Sequence, residues 1–116
     1  MAKIKIYEPQ AVSYSIAIAV PISKPIVVFN DKNISDWEKI FITMRDNVDI
    51  SNRKIEYDVC RAILRWASDC NAYMVIVENS DDKSGHNVNF TFSFDNLDTM
   101  LHFSKNIKTA ISGSIF

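Results

Sequence analysis

The sequence predicts an α+β fold: a single domain over residues 1–116, with a mainly antiparallel sheet of about five strands and three helices in the order βββααββα. Two observations carry that expectation. Strand-like patterns are segregated from helical ones along the chain, and no linker, repeat or low-complexity tract divides it. Residues 72–94 read as two strands joined by a polar loop, able to form the middle of a core.

Lys3-Ile4-Lys5-Ile6-Tyr7 alternates as a short strand with lysines on its open face, and Pro9 ends it. Ala11–Val20 is the longest strand expected. Val12, Tyr14, Ile16, Ile18 and Val20 share one face, and Ser13, Ser15, Ala17 and Ala19 the other. Pro21 and Pro25 then turn the chain. Ile26-Val27-Val28-Phe29 reads as an interior strand and Asn30–Asn33 as a loop. Ser35 and Glu38 fit a capping box opening a first helix, with Trp37, Ile40, Phe41, Met44 and Val48 at helical spacing.

Asp49–Asn52 offers caps for a second helix running to about Cys70. Its stripe is Ile55, Val59, Ile63, Trp66 and Cys70, widened by Tyr57, Cys60, Leu64 and Ala67. Ala72–Val77 is apolar almost throughout and reads as covered on both faces; Glu78–Asn87 reads as a loop of turn formers and acids. Val88–Phe94 alternates and should bury its Val/Phe face alone. Asp95 or Asn96 caps a third helix whose buried face is Leu97, Met100, Leu101, Ile107 and Ile111, with Gly113 as its stop.

Composition narrows function mostly by exclusion. A net charge of −1 is unlike that of a domain dedicated to duplex nucleic acid. With two glycines in the chain, phosphate-cradling loops are absent. No apolar run approaches the roughly 20 residues that cross a bilayer, and the first residues lack a secretory signal's apolar stretch, so a cytoplasmic protein is expected. Cys60 and Cys70 on one helix are too far apart to bridge, and read as buried reduced thiols. His86 and His102 belong to no metal-ligand spacing, and Ser80–Gly85 lacks the alternating acids of a calcium loop, so no cofactor or metal is expected. No serine sits in a nucleophile elbow, and no histidine neighbours Cys60 in sequence. The chain therefore reads as non-enzymatic, with a small enzyme whose site assembles only in space as a third reading.

One charge feature has a direction. Glu78, Asp81, Asp82, Asp95 and Asp98 stand against the single base Lys83, a net of −4 that leaves +3 for the rest of the chain. Such an acidic apron steers a domain toward a basic partner surface. Richness in Ile, Asn, Lys and Asp resembles the products of AT-rich genes, common in phages and mobile elements. Together these favour a small binding protein, a stoichiometric inhibitor of a macromolecular partner of the toxin-immunity or phage anti-defence type. The partner is a protein, such as a basic nucleic-acid-handling enzyme, in the cytoplasm of the source or host cell. The alternative is a nucleic-acid-binding module using Arg53, Lys54, Arg61 and Arg65 on the second helix, or Phe90, Phe92 and Phe94 as a stacking strand. Homo-oligomerisation through the small face of Ala11–Val20 or through Ile115-Phe116 is compatible with each reading.

Overall fold

Alternating Val88, Phe90 and Phe92 place one apolar face on the strand that becomes the centre of the sheet. A computed structural model of the chain describes residues 4–23, 29–33, 39–40, 54–83 and 85–112. Its strands are β1 (Lys5–Ile6), β2 (Ser15–Ile22), β3 (Phe29–Asn33), β4 (Met74–Asp82) and β5 (Gly85–Ser93). They form one sheet in the order β1-β2-β5-β4-β3. Every neighbouring pair is antiparallel. Four strands have five residues or more, and β1 is a two-residue edge. Two helices, α1 (Lys54–Asp69) and α2 (Leu97–Ser112), complete the described architecture. The α+β class holds; of the three expected helices, two are described as whole elements. Of the expected first helix, Lys39 and Ile40 are described and helical, and Ile40 is buried; its cap and its other stripe residues lie outside the described residues.

Register explains the core. Ile16 lies opposite Phe92, which lies opposite Val75; Ile18, Phe90 and Val77 form the next row, and Val20 and Val88 the next. Directly opposed residues share a face, so these eight buried side chains cover one side of the sheet. Val59, Cys60, Ile63, Leu64 and Ala67 of α1 and Met100, Phe103 and Ile107 of α2 close over them. Phe103 meets Phe92 edge-on at 5.5 Å between centroids and Phe94 at 5.4 Å. The opposite face carries Ser15, Ala17, Ala19 and Pro21 beside Asn87, Asn89, Thr91 and Ser93.

The ends of elements are set by local chemistry. α1 stops where Asn71 adopts a φ of +68°. The Asn71 N–H donates to the Ser68 carbonyl and the Ala72 N–H to that of Ala67, both at 3.0 Å. This is a Schellman stop, with asparagine supplying the left-handed residue. Asn96 opens α2: its Oδ1 accepts from the Thr99 N–H at 2.9 Å and from the Thr99 hydroxyl at 2.8 Å.

Several expectations are corrected. β2 begins at Ser15, because Ala11–Tyr14 form a turn closed by Gln10 and Ser15, and Val12 is wholly exposed there. Pro21 does not break β2. Ala17 accepts from the Tyr7 N–H on the β1 side. Pro21, four residues on, aims its backbone the same way, so its missing donor leaves the β5 ladder intact. The third strand is an edge strand, not an interior one. It runs through the expected loop Asn30–Asn33, and its bulge places two residues opposite Ile76. Residues 26–28 lie outside the described residues. β4 is buried on one face only, with Met74 and Ile76 half-buried and Tyr73 exposed.

The largest correction is at Glu78–Asn87. Glu78–Asp82 and Gly85–Asn87 are paired strand, not loop: Asp82 lies opposite Gly85, which leaves two residues to join them. Gly85 takes a φ of +121°, which L side chains rarely adopt. In α2 the buried stripe is Met100, Phe103 and Ile107, while Leu97 and Leu101 are exposed; Gly113 and the tail Ile115-Phe116 lie outside the described residues.

Candidate functional site

Hairpin pairing decides where the five acids go. Met74 lies opposite Ser93, and Asp81 opposite His86, seven residues farther along. At about 3.4 Å per residue, those two rows are about 24 Å apart. Asp81 and Asp82 therefore occupy the turn end of the hairpin, Asp95 and Asp98 lie at the opposite end, and Glu78 stands between them at the middle of β4. The apron is two patches.

The patches differ in chemistry. At the turn end, Asp81 Oδ1 lies 2.6 Å from His86 Nδ1. Asp82 pairs with Lys5 Nζ at 3.8 Å. Lys5 is three strands away and, by register, four residues offset. On a flat sheet that is about 14 Å in each direction, so the sheet's twist folds this corner over the small-residue face. Lys5 thus offsets part of this patch's charge, and His86 occupies one oxygen of Asp81. Among the described residues, neither Asp95 nor Asp98 makes an ion pair, and both are exposed.

The Asp95/Asp98 end also holds four of the six large apolar side chains exposed among the described residues, Tyr7 and Val12 being the others. Tyr14 (39% exposed) immediately precedes β2, and its carbonyl accepts from the Phe94 N–H at 2.9 Å. Tyr73 (47% exposed) immediately precedes β4, and its N–H donates to the Ser93 carbonyl at 3.0 Å. Leu97 begins α2, and Leu101 lies one turn on. Sequence reading assigns Tyr73, Leu97 and Leu101 to the core. The alternative stripe Met100–Phe103–Ile107, at i, i+3 and i+7, is present in the sequence and is the signal that corrects α2. A cleft of about 560 Å³ opens at this end, lined by Ser68, Asn71, Ala72, Tyr73, Asp95, Asn96 and Thr99. It lies between the end of α1 and the start of α2, and sequence pattern carries no sign of it.

The other candidate groups are placed as follows. Arg61 and Arg65 are exposed on α1, with Asp58 and Asp69 exposed on the same helix. Arg53 and the Lys54 side chain lie outside what is described. Phe90, Phe92 and Phe94 are buried against the helices, so their rings offer no surface for base stacking. Cys60 and Cys70 are buried and form no disulfide. Burial pushes the Cys70 thiol above its ordinary range; Asp69 adds to this, against a hydrogen bond from Asn106. A neutral buried thiol is a poor nucleophile. Among the described residues, no three His, Cys, Asp or Glu side chains gather as a metal site, and no helix is long and apolar enough to cross a membrane. No protein-family model, curated protein or solved structure matches the chain.

Proposed function

We propose that this chain is a small non-enzymatic binding protein, a stoichiometric inhibitor of a macromolecular partner of the toxin-immunity or phage anti-defence type. The partner surface is basic, as on a nucleic-acid-handling enzyme, and the setting is the cytoplasm of the source or host cell. The observation supporting this reading is the coincidence at one end of Asp95 and Asp98, acids without ion pairs, with exposed Tyr14, Tyr73, Leu97 and Leu101. Interface cores favour tyrosine and apolar groups, while rim charges set encounter rate and partner choice. The β4 acids Glu78, Asp81 and Asp82 are a weaker candidate, because Lys5 and His86 lie against two of them.

The test is affinity capture of the tagged chain from lysate of its source or host, with two charge-reversed variants. One stoichiometric protein should be retained by wild type and by the Glu78/Asp81/Asp82→Lys variant, and lost by Asp95/Asp98→Lys. Loss through the first variant alone moves the interface to the turn end. Recovery of nucleic acid, or of no stoichiometric partner, overturns the proposal.

A further inference from the structure

The cleft at the junction of α1 and α2 has an electrostatic character that narrows what it accepts. Its volume of about 560 Å³ falls within the roughly 300–1,000 Å³ of small-ligand sites. No Lys or Arg is among its described lining residues. One wall is the C-terminal end of the 16-residue α1, where the macrodipole is negative. The last turn of α1 holds no basic residue to offset that pole, and its final residue is Asp69. Asp95 is the acidic residue of the lining. The opposing positive pole, at the start of α2, is already met by the Asn96 cap and by Asp98 in the first turn. Half-exposed Tyr73 also lines the cleft, with Ser68 and Asn71.

No cationic side chain among the described lining residues offers an anion a charge partner, and a neutral apolar group finds a polar lining. A planar cation finds two complements, the acidic Asp95 and the aromatic Tyr73. We propose that the cleft binds a guanidinium group, the side chain of an arginine presented by the partner, which rests on the binding role proposed above. Arginine rather than lysine is assigned because a guanidinium stacks on a tyrosine ring while its forked donors reach Asp95 and its neighbours.

The full chain, labelled with ¹⁵N, is titrated with N-acetyl-arginine amide, its neutral isostere N-acetyl-citrulline amide and N-acetyl-lysine amide. The arginine probe should shift the amides of Asn71, Tyr73, Asn96 and Thr99 along one saturable curve; citrulline should not, and lysine should bind more weakly. Tyr73→Ala and Asp95→Asn, both at exposed positions, should each weaken the arginine probe about two- to fivefold. No saturable shift, shifts centred elsewhere, or an equal response to citrulline overturns the site. An equal response to lysine overturns the guanidinium assignment. The probe needs no partner, so the two proposals fail separately. Arginine binding without a captured protein sinks the inhibitor reading alone; a partner lost through Asp98→Lys, with no probe response, sinks the cleft assignment alone.

Discussion

Phe103→Ala and Leu101→Ala, two residues apart on α2, should differ several-fold in cost. Phe103 has no exposed surface, and its ring lies 5.5 Å from Phe92 and 5.4 Å from Phe94. Truncating such a ring removes its transfer energy and leaves a cavity among groups that cannot collapse, about 3–5 kcal/mol. Leu101 is 47% exposed. Full burial of a leucine contributes about 1.5–3 kcal/mol, so removing its covered half costs about 1 kcal/mol and encloses no void. A chain of 116 residues has a total stability of about 6–17 kcal/mol, so both variants should retain a folded population. Urea unfolding followed by circular dichroism reads the difference. With a slope of about 1–3 kcal/mol/M, the midpoint should fall at least threefold farther for Phe103→Ala, the slope itself unchanged. Equal shifts, or a larger one for Leu101→Ala, would mean that α2 is rotated and Leu101 faces the core.

Two further outcomes follow from local geometry. Gly85→Ala should lose about 1 kcal/mol or more in the same assay: no atom lies within 4 Å of the added methyl group, so the backbone φ of +121° alone is penalised; an unchanged midpoint would show that the turn is not held there. Raising the Cys70 pKa above its ordinary 9.0 means that, as pH climbs past 9.0, the unfolded chain loses that proton first. The contribution is whole below that pH and lost as pH rises through the folded value, so Cys70→Ala should flatten the alkaline decline in stability, and an identical decline in both chains would refute the shift.

Legibility in the sequence follows how local each signal is. The α1 stripe of Val59, Ile63 and Cys70, widened by Cys60, Leu64 and Ala67, reads correctly because helical period repeats four times over 16 residues. The Val/Phe face of Val88–Phe94 reads correctly because alternation is a property of one strand, whereas its polar face is less open than expected, with Ser93 buried and Asn89 and Thr91 half-buried. Leu97 and Leu101 mislead because leucine fits either of two overlapping stripes, and the ring of Phe103 selects one by filling the space over Phe92 and Phe94. Glu78–Asp82 misleads because polar composition usually marks loops. Here the backbone groups are satisfied by the ladder to β5, which needs no apolar side chains. Of the candidate site, the identity and net charge of the acids are legible; their separation into two patches is not, since it depends on a turn of two residues rather than ten.

The sequence by itself determined the α+β class, the phenylalanine face of the central strand and the end of α1, and it narrowed the cap of α2 to Asp95 or Asn96. Each follows from periodicity or capping within a few neighbouring residues. Only the tertiary structure decided that β5 lies between β2 and β4, that β3 is an edge, that Lys5 reaches Asp82, and that Tyr73 and Asp95 share a cleft. Those facts join residues distant in the chain. They are set by which apolar faces pair and in what register, a competition settled by packing the whole core rather than by any local stretch.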